Sequence, residues 1–216
     1  MTRVKKRSRA YDASGRQEQA HKTREAILDV AKSAFLSRGY AATTLASIAR
    51  EAGVSVETIH KAFGGKTGLV RAIYERDLAG TGERPAPERS DAVLAKEADP
   101  RVLAKKLGAF TAEVSPLVAP LHLLLRSAAA GDADLAALLR ESDDARLARM
   151  RDNARVLAKR GLLRRGITAE RAAELMWTCT APELYELVVS KRGWTPEELG
   201  ELVASVLLAA VFRESR

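Results

Sequence analysis

The stretch Thr44 to Phe63, TLASIAREAGVSVETIHKAF, constrains the chain more than any other, because it reads as two short helices joined by a tight turn. Ile48, Ala49 and Ala52 put small and apolar side chains on one face of the first helix, Thr44 is its natural N-cap, and Gly53 stands where a left-handed residue usually ends a helix. Val54 fills the corner. Ser55 then offers a capping hydroxyl, and Val56, Ile59 and Phe63 recur at helical spacing, leaving Glu57, Thr58, His60 and Lys61 off that stripe. This is the pattern of a helix-turn-helix, whose second helix is shaped for a DNA major groove. A preceding helix patterned by Ile27, Leu28, Ala31, Ala34 and Phe35, with Thr23 as a candidate cap and Gly39 as its stop, closes a three-helix core against Ile48, Ile59 and Phe63.

Charge is concentrated at the same end. Residues 1–78 hold 15 Lys and Arg against 8 Asp and Glu, whereas residues 79–216 hold 21 against 20. Phosphate attraction requires such an asymmetry; a basic tail kept for solubility is the bland alternative. Residues 1–19 lack any apolar period and carry Lys5, Lys6, Arg7, Arg9 and Arg16, so they are expected to form a disordered basic arm. Such an arm either tracks phosphates and an adjacent minor groove or is a passive tail.

The remainder reads as helix. Ala, Leu and Arg dominate, strand-forming runs are scarce, and an all-α protein is expected. The domain plan is a DNA-binding head over residues 20–79, a linker over 80–92 (GTGERPAPERSDA, dense in Gly, Pro and charge), and a helical domain over 93–216. In that domain Pro100 opens a helix through Phe110 and Ala112, and Ser115-Pro116 caps another, in which Pro120 is either a kink or the true start. Asp132 or Asp134 opens a long helix to Lys159, Thr168 caps one through Met176 and Cys179, Pro182 restarts it to Lys191, and Thr195-Pro196 opens the last, to about Arg213. No apolar run reaches about 18 residues and the N-terminus is polar, so a cytoplasmic, nucleoid-associated protein without membrane contact is expected. Cys179 is the only cysteine, which excludes an intrachain disulfide.

Gly39-Tyr40, Thr43-Thr44, Ile48-Ala49, Ala52-Gly53-Val54-Ser55, Thr58-Ile59, Phe63, Lys66 and Leu69 stand where TetR-type bacterial transcriptional regulators carry their N-terminal signature. The chain resembles that family over roughly residues 22–78, and beyond residue 80 only in helical pattern and length. Glu57 replaces a usual small residue, His60 a usual Tyr, and Ala62 a usual His or aromatic, so the family's base contacts do not carry over whole. The resemblance implies that Thr44 meets a phosphate at its helix N-terminus, that Gly65 caps a fourth helix, and that Lys66 reaches a phosphate from its first turn, with that helix as the lever between the domains. Gly64-Gly65-Lys66-Thr67 looks like the end of a P-loop, but the required earlier Gly is His60 and the preceding element is a helix.

Base reading is expected from Val56, Glu57, Thr58, His60 and Lys61, with Ser55 at the same helix start; capping alone is the alternative for Glu57. The resemblance further implies a small-molecule effector pocket in the C-terminal domain, for which Phe110, His122, Met150, Met176, Trp177 and Tyr185 are candidates, two or three of them touching ligand. His122 is otherwise an ordinary packed residue and Cys179 a small buried one. Leu199, Leu202, Val203, Val206, Leu207 and Ala210 line one side of the last helix, fit either to pack on the preceding helices or to meet a second copy in a family-type four-helix arrangement. No catalytic constellation, metal spacing or cofactor motif occurs. The resulting expectation is a homodimeric regulator, a repressor released from a palindromic operator by its effector. A ligand-independent or architectural DNA-binding protein is the alternative, and an all-helical enzyme with an incidental helix-turn-helix a third.

Overall fold

The computed structural model describes residues 8–213, with side chains from Gly15 onward. The chain divides into two compact units, Met1–Ile73 and Tyr74–Arg216. Among the described residues every element is helical, apart from an isolated antiparallel bridge between Leu163 and Phe212.

The first unit holds α1 (Ser8–Arg38), α2 (Leu45–Glu51), α3 (Val56–Phe63) and the start of α4 (Lys66–Ala79). Ile27, Leu28, Ala31, Ala34 and Phe35 of α1 meet Tyr40, Ile48, Ala49, Ile59, Leu69, Val70 and Ile73 in its core, all buried. Thr43, fully buried, donates its hydroxyl to the carbonyls of Ala34 (3.1 Å) and Gly39 (2.8 Å) and so ties the entry of α2 to the end of α1. Two expectations fail here. Thr23 is interior to α1 and caps nothing, and residues 8–19 are helical rather than a disordered arm. Ala10, Ala13, Gln17, Glu18 and Gln19 favour helix without any apolar face, and Glu18 pairs with Lys22 one turn on at 2.7 Å. Lys5, Lys6 and Arg7 lie outside the described residues; Arg9 lies in α1, its side chain outside them.

Beyond Ile73 come the end of α4, then α5 (Ala86–Lys96), α6 (Pro100–Ala128), a 3₁₀ turn (Ala129–Gly131), α7 (Ala133–Lys159), α8 (Ala169–Cys179), α9 (Pro182–Tyr185) running on as a π-turn (Glu186–Ser190), and α10 (Pro196–Ala210). Asp99, Asp132, Thr168 and Thr195 cap their helices, accepting from the amides of Arg101, Leu135, Arg171 and Glu198 at 2.8 to 3.1 Å.

The segment 80–92 is not a bare linker, since α5 starts at Ala86 and buries Ala86, Ser90 and Leu94. Arginines fasten it: Arg149 Nη2 donates to the Pro87 carbonyl at 2.8 Å, Arg160 Nη1 donates to the Glu97 carbonyl at 2.7 Å, and Arg89 pairs with Glu113 at 2.6 Å. Glu113 also accepts from the Thr81 amide at 2.8 Å, and the Arg89 bond holds its carboxyl below the usual carboxylate range. A second correction concerns α6, which runs unbroken through Pro116 and Pro120 where two helices were expected. Each proline forfeits a backbone hydrogen bond, but the helix is buried along its length by Leu103, Leu107, Val118, Leu121 and Leu125. By length and apolarity α6 could cross a membrane; of its apolar residues, Leu103, Leu107, Val118, Leu121 and Leu125 are buried within this unit.

Helices α6 and α10 form the principal contact of the unit, and two glycines let them do so. A Cβ on Gly108 would lie 2.2 Å from the Gly200 carbonyl oxygen, and one on Gly200 would lie 2.7 Å from the Gly108 oxygen, with Ala112 and Ala204 beside them. On either side of this crossing Leu199, Val203 and Leu207 are buried within the chain, with Leu94, Leu103, Leu157 and Phe212 in the same core.

Candidate nucleic-acid interface and effector cavity

In the first unit both helix starts are preorganised by side-chain caps, the first of them reciprocal. Thr44 Oγ1 accepts from the Ser47 amide at 3.1 Å while the Thr44 amide donates to Ser47 Oγ at 3.3 Å, and Thr44 stays exposed. Gly53 adopts φ 66°, letting the Val54 amide reach the Ala49 carbonyl at 2.9 Å and turn the chain. Ser55 Oγ accepts from the Thr58 amide at 3.0 Å and shares a 2.8 Å hydrogen bond with Thr58 Oγ1. Both hydroxyls are therefore committed to the cap, although both residues are exposed.

Only Ile59 of α3 is buried, and Val56, Glu57, Thr58, His60, Lys61 and Ala62 are all exposed. The residues proposed to read bases thus share one open helix surface, with Glu57 in its first turn and His60 and Lys61 in its last. Two cations frame it. Arg24 lies 4.5 Å over the Phe63 ring and donates to the Ala62 carbonyl at 3.5 Å, while Lys66 Nζ sits 3.9 Å over the Tyr40 ring. Tyr40 is itself held against Phe35, ring centroids 5.5 Å apart. Arg24 and Tyr40 carried no assigned role in the sequence reading, and both would have been legible as partners of Phe63 and Lys66 only with the fold in hand. Nearby, Arg38 and Glu51 form an exposed ion pair at 2.6 Å, and that bond lowers the Glu51 carboxyl pKa.

The second unit contains a cavity of about 340 Å³, at the lower end of the usual small-molecule range of roughly 300–1,000 Å³. Of the residues named as pocket candidates, Phe110, Met150 and Met176 line this cavity, whereas His122, Trp177 and Tyr185 do not. Trp177 is turned to Arg146, whose guanidinium carbon lies 4.4 Å over the ring, and Tyr185 belongs to the core around α10. Val203 and Leu207 line the cavity and Leu199 is buried beside them, the first of the two uses open to the α10 stripe; Leu202, Val206 and Ala210 remain half-buried. A wide apolar stripe on a terminal helix served the interior first. The polar side of the cavity had no sequence reading: Arg146, Arg149 and Asn153 project from α7 at spacings of three and four residues, and Tyr74 enters from α4. Among the described residues no cluster of His, Cys, Asp and Glu could hold a metal ion.

His122, 2% exposed, leaves Nε2 without a hydrogen-bond partner and stands 6.3 Å from the Tyr74 ring. Burial pushes its pKa down to about 4, against a rise from Asp143 and with further lowering by Arg126 and Arg146. Because the folded form binds the proton less readily than the unfolded chain, the stability His122 contributes is complete above about pH 6.5 and lost as pH falls towards 4. The loss amounts to ~3 kcal/mol. Urea unfolding midpoints should therefore fall between pH 7 and pH 4.5, and a His122→Phe variant should show a distinctly smaller fall over the same range.

Residues 27–73 match the family of bacterial regulatory proteins described as the tetR family. Over 58 residues the chain is 45% identical to the HTH-type transcriptional regulator TtgR of Pseudomonas putida, a match covering 27% of this chain and 28% of that protein. The similarity thus spans little more than a quarter of that relative's length. Among solved structures, the chain is similar to the SmeT–triclosan complex, with a TM-score of 0.71 and 23% identity over 90% of this chain and 93% of that one. It is also similar to NalD of Pseudomonas aeruginosa, described as the secondary repressor of the MexAB-OprM multidrug efflux pump, with a TM-score of 0.67 and 20% identity over 91% of this chain and 100% of that one. At those identities the structures share the fold.

Proposed function

We propose, for a chain whose residues 27–73 match the tetR family of bacterial regulatory proteins, a DNA-binding repressor that holds a palindromic operator as a homodimer and releases it when a small molecule enters the C-terminal cavity. The observation that carries the DNA half is the open surface of α3, capped at Ser55 and flanked by Arg24 and Lys66. The cavity carries the effector half, and it favours a ligand-responsive regulator over a purely architectural one. TtgR is named a transcriptional regulator, NalD a repressor, and SmeT was solved with triclosan, all in keeping with this reading.

An effector acts only through unequal affinity for the DNA-competent and DNA-incompetent states, a coupling typically worth about 1–3 kcal/mol. Helix α4 is the proposed lever, since Lys66 occupies its first turn and Tyr74 and Leu78, both lining the cavity, its far half. Dimerisation through what α10 leaves uncovered, Leu202, Val206 and Ala210 with the exposed Leu208, would set two α3 helices on one DNA face.

Two substitutions test the DNA reading. Lys66→Ala should weaken binding on specific and non-specific DNA alike and reduce the slope of log affinity against log salt by about one. Glu57→Ala should relax base preference at one position of each half-site if its carboxylate accepts from a cytosine amine, at a discrimination cost of ~1–3 kcal/mol. An unaltered preference in a selection from random duplexes would assign Glu57 to the helix start alone.

A further inference from the structure

The lining of the cavity in the second unit is chemically lopsided. Its body is apolar, built from Leu107, Phe110, Val118, Met150, Met176 and Leu207, and it includes two arginines and no carboxylate. The arginines share one wall of α7 with Asn153. Asn153 is 5% exposed, and its side-chain amide makes no hydrogen bond among the described residues. Asn153 lines the cavity, and its amide offers donors and an acceptor that no other described residue takes up.

Arg149 uses only Nη2, which donates to the Pro87 carbonyl at 2.8 Å and to Asp91 Oδ1 at 2.9 Å. Arg146 uses Nη1 for Trp177 O and Thr180 Oγ1, and Nη2 for Asp143 at 3.4 Å. Each guanidinium therefore keeps N–H groups uncommitted beside the cavity, while Asp91 and Asp143 stand outside its lining. For Arg146, burial lowers the pKa in spite of Asp143, so its positive charge is under-compensated. A cationic ligand would add to that charge, and a neutral one would leave it as it is.

We propose that this cavity takes a monoanionic amphiphile, a compact apolar body ending in one carboxylate, with the carboxylate set against Asn153, Arg149 and Arg146 of α7. The assignment rests on reading the cavity as the effector site. The apolar body fills the space between α6, α7 and α10, and the carboxylate accepts from the Asn153 amide and the guanidinium N–H groups, as charge-assisted hydrogen bonds require.

Isothermal titration of the full chain with decanoate, decanol and decyltrimethylammonium separates head-group chemistry at one chain length. Decanoate should bind at least about tenfold more tightly than decanol, and the ammonium should show no saturable binding. Asn153→Leu and Arg149→Met should each erase most of decanoate's advantage over decanol, the ratio of the two affinities being read within each variant. If either variant fails to fold, the comparison of the three probes on the unmodified chain still decides. Ammonium binding equal to decanoate's, an advantage that survives both substitutions, or no saturable binding of any probe would overturn the proposal. Operator binding is read in parallel: decanoate that binds the chain but leaves operator affinity unchanged upholds the ligand class and defeats effector release.

Discussion

Gly68→Ala should unfold the first unit while leaving the second intact. A Cβ at position 68 would lie 1.6 Å from the Phe63 carbonyl oxygen and 2.8 Å from its carbon, both backbone atoms of the preceding helix, so no side-chain rotation relieves the clash. Helix α4 would have to withdraw from the end of α3, and Leu69, Val70 and Ile73, all buried, would be drawn out of the core with it. Ordinary overpacking costs about 1–3 kcal/mol, and a clash with fixed backbone at this distance lies at or beyond the top of that range. Both tryptophans, Trp177 and Trp194, lie in the second unit, so their emission reports that unit alone. The expected result is a helical circular dichroism signal that loses part of its amplitude at lower temperature, an unchanged tryptophan transition and no DNA binding. Gly15→Ala, where a Cβ meets nothing within 4 Å, is the control and should be neutral or slightly stabilising.

Gly108→Ala should do the opposite, lowering the tryptophan transition. The new methyl would meet the Gly200 carbonyl oxygen at 2.2 Å and Ala204 Cβ at 3.1 Å, forcing α6 and α10 apart along the contact that buries Leu199, Val203 and Leu207. The cost should reach about 3 kcal/mol, because separation of the two helices loosens packing beyond the point of contact. Gly200→Ala should cost a similar amount. The double variant should cost clearly less than the sum, since helices already separated by one methyl accommodate the second. Strict additivity would place the two glycines in independent environments and contradict the crossing.

How much of this could be read from residues alone depended on whether local chemistry or distant partners decided the outcome. The helix-turn-helix was legible because its signals are local: Thr44 and Ser55 cap within three residues, and Gly53 turns the chain where its φ is positive. The long helices were legible in the same way wherever Asp132, Thr168 or Thr195 offered a hydroxyl or carboxylate cap. Proline misled twice. Pro85 and Pro87 surround the start of a real helix, because Ala86, Ser90 and Leu94 share a buried face and Arg149 of α7 and Arg160 just beyond it bond the Pro87 and Leu94 carbonyls of α5 from far along the chain. Pro116 and Pro120 lie within a helix held by its neighbours, a tertiary effect no local pattern carries.

The cavity was half legible. Phe110, Met150 and Met176 were named for size and apolarity, but large apolar residues are mostly core, and Trp177 and Tyr185 proved to be packed elsewhere. Arg146, Arg149 and Asn153 carry no local mark in the sequence; only their placement on the cavity wall distinguishes them from Arg155, which is exposed on the same element. The α10 stripe carried no mark to separate residues that meet α6 from residues left half-buried.

Genomic footprinting of the full chain, repeated with Lys66→Ala, tests the central claim most directly. A two-fold palindrome with half-site centres about 34 to 36 Å apart along the duplex, or a little more, protected by the unmodified chain and lost at moderate salt by the variant, is the expected result. Protection without sequence preference, or a single half-site bound as tightly as the full palindrome, would contradict it.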